Sequence, residues 1–522
     1  MAADKVELRD VTFRQWFPWT ELFRGFQVAL DPKKLLLAAT GLLVMALGWW
    51  VLGLIFLTSR ANPSIHLQDY PAGESDPAYV ADLYKYNLLR KAAQPGYSEP
   101  GKSKLRSLNT WPWFEERGAN PYLLVTGGAG RDGRASPWEE GRFWDWLIRD
   151  QIPVLIEPLV KFLSPIIYLL DQHAGFWNRI YFALVLIWSC ATWALFGGAI
   201  TRMAAVQLAR KEKISLGEAL RFTTARYLSY LSAPLIPLVF VGVVVVFLMI
   251  FGLFHLIPLF GDIVVDGLGW PLVLLAGLAM AVVLVGLVGW PMMYGTISAE
   301  GSDSFDALSR SYSYVYQSPW HYVWYGLVAL AYGAVVVFFV GLMGSLTVYL
   351  GKLGMSSTGS IAGRSPDFLF VFAPTSFGWR DLLLGNSSQE ELLKDMTWYN
   401  SVGAFMVSVW LYLAFLIVVG FAYSFFWCES TIVYLLMRRK VDDTELDEVY
   451  LEDDELDEAY PTAATSPAAS TPAASTGSSL PIVEPPPLKT AVASTPASPA
   501  VRIETTHPKE SDIGPPGPTP LS

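Results

Sequence analysis

Apolar residues run almost unbroken in six places, at Leu35–Leu57, Ile180–Ile200, Leu235–Leu259, Leu268–Trp290, Tyr322–Leu350 and Ala404–Trp427. As a helix rising 1.5 Å per residue, each run can cross a hydrocarbon core of roughly 30 Å. The pattern predicts an all-α polytopic membrane protein with about six transmembrane helices. The first run starts too far into the chain, and is too long, to be a cleaved signal, so it reads as an anchor.

A seventh stretch, "QIPVLIEPLVKFLSPIIYLL" at Gln151–Leu170, is patterned differently. Ile152, Ile156, Leu159, Leu163, Ile167 and Leu170 recur at helical spacing, and Glu157 and Lys161 share the opposite face. This predicts a helix lying along the membrane interface with its charged side in water. The alternative is a true or re-entrant span, and a true span would put the basic residues after Ile200 on the wrong side.

Between two of the apolar runs lies a polar, aromatic stretch, "ISAEGSDSFDALSRSYSYVYQSPWHY", Ile297 to Tyr322. At a shift of 88 residues it lies over "KEKISLGEALRF", Lys211 to Phe222: Glu212 meets Glu300, Ser215 meets Asp303, and Glu218-Ala219-Leu220 meets Asp306-Ala307-Leu308. Each copy sets a helix-capping residue three positions before an acid. Apolar stripes follow, Leu216, Leu220, Tyr227 and Leu231 in one and Phe305, Leu308, Tyr312 and Val315 in the other. Residues 180–350 therefore read as two parallel units of span, interfacial amphipathic helix, span. The two capped helices are expected to meet, with Arg221 and Arg226 near Glu300, Asp303 and Asp306. The rival expectation turns the arginines to anionic lipid headgroups.

This pattern, Glu-x5-acid-Ala-Leu just past a span and then an aromatic helix and another long span, resembles the polytopic membrane domain found with bacterial glycerophosphodiester phosphodiesterases and in related stand-alone membrane proteins. The resemblance covers roughly Asn178–Leu350 and implies a helical membrane fold rather than a reaction. The phosphodiesterase domain's acid and histidine motifs have no counterpart among the five scattered histidines, and the long loop after the first span departs from the pattern.

Lys and Arg set the orientation. Lys33, Lys34, the cluster from Arg202 to Arg226, and Arg438-Arg439-Lys440 share one side if both termini are cytosolic, leaving acidic Asp262 and Asp266 on the other. Residues 1–34 then form a cytosolic interfacial N-terminus, in which Trp16, Trp19, Phe23 and Phe26 lie among Arg14, Arg24, Lys33 and Lys34. A protein-docking helix is the other reading of this segment. The first anchor is 35–57. Residues 58–179 form an extracytoplasmic loop rich in Trp, Pro and Gly, and 351–403 form a second. The last span is 404–427, and 428–460 run from basic to acidic. The Pro/Ala/Ser/Thr tail, 461–522, is expected to be disordered. The net charge of −10 belongs mostly to that acidic end and says little about the membrane portion.

Candidate chemistry changes this picture little. Gly127-Gly128-Ala129-Gly130-Arg131 lacks the lysine of a phosphate loop, and Trp138, Phe143, Trp144 and Trp146 read as interfacial anchors. His255 and Glu429 are placed near span ends, and the Trp270-Pro271 and Trp290-Pro291 pairs read as belt residues bracketing the fourth span. Cys190 and Cys428 sit in or beside different spans without metal spacing. No catalytic, cofactor or metal residues are expected. The expected partners are membrane lipids and a protein docking on the acidic C-terminal segment, with no nucleic acid. The sequence points to a multi-pass cell-membrane protein, of a bacterial inner membrane, that organises lipids or partner proteins without catalysis. The alternative is a facilitator or transporter subunit for a lipid-like or apolar solute.

Overall fold

The computed structural model describes residues 17–57, 79–80, 111–115, 117–126, 142–170, 176–357, 366–385, 387–394 and 396–450. The chain beyond Tyr450, Gly127–Arg131 and Trp138 lie outside the described residues, and so do the expectations placed on them. In chain order the principal helices are α1 (Pro32–Leu57), α2 (Glu157–Leu169), α3 (Phe176–Arg210), α4 (Leu216–Ala225), α5 (Tyr227–Leu253), α6 (Trp270–Gly286), α7 (Trp290–Glu300), α8 (Ser304–Gln317), α9 (Pro319–Ser357) and α10 (Trp398–Asp442). α1, α3, α5, the α6–α7 pair, α9 and α10 are each long and apolar enough to cross a membrane. The protein is an all-α polytopic membrane protein.

α10 is the central mast, packing on α1, α3, α7 and α9. Lipid is as apolar as leucine, so helices in a bilayer associate through close packing and interhelical polar contacts. Aromatic rings do this work here. Trp193 of α3 stacks on Tyr423 at 4.9 Å between centroids, and Tyr294 and Trp290 of α7 meet Trp427 at 4.7 and 5.4 Å. Glycines let the backbones come near enough. A Cβ on Gly295 would stand 2.8 Å from Cβ and Cγ of Tyr434, atoms too close to the backbone to swing aside. Gly295→Ala should therefore lower stability by about 1–3 kcal/mol, read as an earlier midpoint on SDS titration of the purified protein. An unchanged midpoint would mean that α7 and α10 are not packed this closely.

Lysines and arginines gather at one end of the bundle, called here the basic end. Lys33 donates to the Ile214 carbonyl, and buried Lys34 donates to Val28 O at 2.9 Å and Gln207 Oε1 at 2.6 Å. Asp31 pairs with Lys213 at 3.4 Å. Burial works to raise Asp31, but the Lys33 amide and the charges of Lys34 and Lys213 outweigh it and hold the carboxyl below its usual value.

Both capped helices form as the spacing predicts. Ser215 and Glu218 close a reciprocal capping box, and the Asp303 side chain accepts from the Asp306 amide at 2.9 Å. α4 packs on α3, whereas α8 packs on α7 and α5. The tyrosines after the second cap have a specific use. Between α6 and α7 the helix narrows to a 3-10 turn at Leu287–Gly289, and Pro291 brings no N–H. Hydroxyls from the polar stretch cover the carbonyls around this break: Tyr312 donates to Val283 O at 2.7 Å, Ser311 to Gly289 O at 2.7 Å, Tyr322 to Val288 O at 2.9 Å, and Tyr316 to Val282 O. In lipid every backbone carbonyl needs a partner from the protein, which explains why this segment is both polar and aromatic.

Three expectations change. Trp290 is no belt residue. It is buried, with Phe162 of α2 stacked on it at 4.4 Å. The N-terminal aromatics pack against the protein: Phe23 meets Tyr332 of α9, and Phe26 meets Phe339 of α9 and Phe421 of α10. The third change concerns α2, whose charged face is turned inward. Glu157 and Lys161 are buried, while Leu163 and Ile167 are exposed. Lys161 lies over the ring of Trp49, which stands about 22 Å up α1 from Lys34 at 1.5 Å per residue. The segment therefore enters the bundle, because its charges have partners there that the local pattern does not reveal.

Candidate functional site

Those partners come from the loop ahead of α2. Arg117 uses all five of its donors: Nε and Nη2 grip Glu157 at 2.7 and 2.9 Å, Nη2 also reaches Glu115 at 2.9 Å, and Nη1 donates to Ser376 at 2.9 Å and to the Pro112 carbonyl. Lys161 bridges Glu115 at 2.8 Å and Glu157 at 2.6 Å, and the Tyr423 hydroxyl donates to Glu157 at 3.0 Å. Two cations thus face two carboxylates, a neutral set, which is the condition under which burial of charge is tolerated. Asn120 extends the seam. Its Oδ1 caps the short helix Pro121–Thr126 through the Tyr122 amide, and its Nδ2 reaches Ser345 and the Phe377 carbonyl. The cluster clamps α2, α10 and the loop segments together.

Below this clamp lies an apolar cavity of about 420 Å³. That is within the range of ligand sites, roughly 300–1,000 Å³. Its roof is the apolar side of α2 and the turn before it, including Leu159 and Leu163. One wall is the α6–α7 break, with Leu287 and Val288, and the other is α9, with Gly326 and Ala329. α10 supplies the floor, including Phe426 and Glu429. The rim residues Leu163 and Val288 are themselves exposed, and Val285, Leu327 and Ile167 are exposed apolar residues of the same helices. The cavity is a groove that opens sideways through an apolar exterior.

No family model, curated protein or solved structure matches the chain. The groove has to be read from its own chemistry.

Glu429 is the acidic residue of the lining. It is 4% exposed, and among the described residues neither carboxyl oxygen has a hydrogen-bond partner. A Cβ on Gly25 would stand 1.9 Å from Glu429 Oε1, so the carboxyl lies against the N-terminal element Gly25–Ala29. Of the other polar groups of the lining, Ser430 donates to the Phe426 carbonyl at 2.7 Å and Tyr322 to Val288, while Trp290 Nε1 is buried without a hydrogen-bond partner among the described residues. Glu429 had been expected near a span end because the apolar run stops at Trp427. α10 continues to Asp442, and protein rather than solvent surrounds the extra turns.

The residues expected to join the repeat units lie at the basic end, away from the groove. Glu300 accepts from Tyr434 at 2.6 Å and from Arg310 at 3.0 Å, and forms an ion pair with Arg438 at 3.1 Å. Asp306 pairs with Arg310 on its own helix at 3.1 Å, and Asp303 is spent on its cap. Arg226 does cross between units. Its Nε donates to the Gly301 carbonyl at 3.0 Å, and it shares the two faces of Phe222 with Arg202, at 4.2 and 3.9 Å. Arg221 remains exposed on α4. Gly301 ends α7 with φ +68°, and a Cβ there would press on Tyr450 and Arg226.

Proposed function

We propose that the protein is a non-enzymatic membrane protein that takes a lipid-like molecule sideways from the bilayer into the groove between α7 and α9, as a facilitator or transporter subunit for such solutes. The observation that carries this reading is the groove itself, lined mostly by apolar side chains and opening through an apolar exterior. In a bilayer, what meets that mouth is hydrocarbon, so an alkyl chain can enter without first crossing water. An alkyl chain in the groove makes dispersion contacts along its walls. The clamp above the groove keeps the α2 roof in place through two cations set against two carboxylates. On this reading the basic end faces the cytosol, following the distribution of Lys and Arg.

Gly326 provides the test. It lines the groove, and a Cβ there meets nothing within 4 Å, so a substituted side chain can leave the backbone without a clash and occupy groove space. Purified protein in lipid nanodiscs should be photolabelled in α7, α9 and α10 by a lipid carrying a diazirine in its acyl chain. Gly326→Trp should lose that labelling while keeping its gel-filtration profile. Equal labelling in the variant would sink the proposal, and vesicle flux of the labelled lipid, present in wild type and absent in Gly326→Trp, would extend it from binding to transfer.

A further inference from the structure

At the end of α10 the chain turns back onto the bundle. Asp443 adopts a left-handed conformation, φ +53°, which a short polar side chain tolerates, and residues 443–450 return over the basic end. They are held there along their length. Arg438 donates to the Glu448 carbonyl at 2.6 Å, the Tyr450 amide donates to the Ala299 carbonyl of α7 at 2.8 Å, and Val449 is buried in one apolar cluster with Val206 of α3 and Met437 of α10. Beside this strap is a hollow of about 400 Å³ whose charged lining is Arg210, Arg310 and Arg438 with Glu300 and Glu448. We propose that the basic face next to the strap, on α3 and α4, is a binding surface for an acidic peptide, and that its occupant is the chain's own run of acids at 452–458. The proposal concerns the basic end and stands independently of the groove.

Position, reach and charge agree on this occupant. The ring of Tyr450 lies under the Arg226 guanidinium at 5.2 Å, so the acidic run starts at the edge of α4. Eight extended residues span about 26 Å, whereas Arg221 lies only about 7.5 Å along α4 from Arg226 at 1.5 Å per residue. The whole face is within reach. Residues 452–458 hold six acids and no base, and residues 210–226 carry five cations against two acids. Of those cations Arg210, Lys211 and Arg221 are exposed. The other neighbour of Tyr450 is Gly301, which leads into the acidic start of α8 at Asp303 and Asp306, so like charge turns the run toward α3 and α4. Each exposed pair is weak by itself. The strap compensates by fixing one end of the run beside its target, which holds the acids at a high effective concentration there. The rival occupant is an anionic lipid headgroup, which would have to displace this tethered polyanion.

The test uses the full chain, carrying the photo-crosslinking residue benzoylphenylalanine in place of Leu456, in nanodiscs of phosphatidylcholine and phosphatidylglycerol. Illumination at low salt should join position 456 to peptides from residues 210–226 of the same chain, mapped by mass spectrometry. Raising the salt to about 1 M, where the screening length falls to about 3 Å, should cut that product by about tenfold. Replacing the six acids by their amides should remove the product at low salt, and so should Arg210→Gln, Lys211→Gln and Arg221→Gln together. All of these substitutions are at charged residues outside the apolar core, and the salt comparison needs no charge variant at all. Crosslinks to lipid in place of protein would give the face to headgroups and overturn the proposal. Crosslinks that join two copies of the chain would overturn the intramolecular occupant, and a product that survives both high salt and loss of the acids would show that charge does not hold the run there.

Discussion

Arg117→Leu should destabilise the protein by about 3–5 kcal/mol, the usual penalty for removing one partner from a buried ion set. The loss arises from what is left behind. Glu157 would keep Lys161 and Tyr423 but lose its two-pronged grip, Glu115 would keep only Lys161, and the Pro112 carbonyl and Ser376 hydroxyl would lose their donor. An equilibrium SDS titration monitored by tryptophan fluorescence reads the change. A second variant separates charge from shape: replacing Glu115, Arg117, Glu157 and Lys161 together by Leu or Met should recover most of the loss, because a well-packed apolar set often does as well as a buried ionic one. A wild-type midpoint for Arg117→Leu would show that the clamp does not hold the roof. If the fourfold variant unfolds as readily as the single one, simple charge balance is the wrong account.

Glu300→Ala should cost about 2–4 kcal/mol. One carboxylate there ties α7 to α8 through Arg310 and to α10 through Tyr434 and Arg438. The hydrogen bond from Tyr434 and the ion pair with Arg438 should dominate, since both side chains are largely buried. The Arg310 share is smaller because its guanidinium is 38% exposed and screened by solvent. Asp306→Asn offers the contrast, with an expected effect of about 0–1 kcal/mol because its pair with Arg310 is a solvent-facing contact within one helix. Similar losses in the two variants, measured by the same titration, would contradict this ranking.

The sequence made some of this legible because the physics was local. A membrane span is a contiguous apolar run, and a helix cap is a pair of residues three apart, so six spans and the caps at Ser215 and Asp303 could be read without neighbours. The direction of α2 was not legible. Periodicity says that a helix has two faces but not which one meets the protein, and the partners that turn Glu157 and Lys161 inward are Arg117 and Glu115, some forty positions earlier in an irregular segment. In the sequence the tyrosines after Asp303 read only as part of an aromatic helix with Tyr312 in its apolar stripe, because periodicity does not show where a hydroxyl points. Their actual targets are carbonyls near the α6–α7 break, and the sign of that break, Gly289-Trp290-Pro291, reads equally well as a membrane belt. The groove was hidden for the same reason, since four separate stretches of chain build it.

The inward-facing charges of α2 also impose an order of events during synthesis. When residues 157–161 leave the ribosome, Arg117 and Lys161 can already neutralise the two glutamates, but Ser376 and Tyr423 do not yet exist. Until α10 has been made, Trp193 lacks Tyr423 and Trp290 lacks Trp427. The nascent chain must therefore hold α2 short of its final seat while four later spans are inserted, and the last of the described helices is the one that locks the earliest charged hairpin. Ribosome-stalled chains ending before Thr397 should leave a cysteine placed at Leu159 open to a membrane-impermeant thiol reagent, and chains extended past Asp442 should protect it.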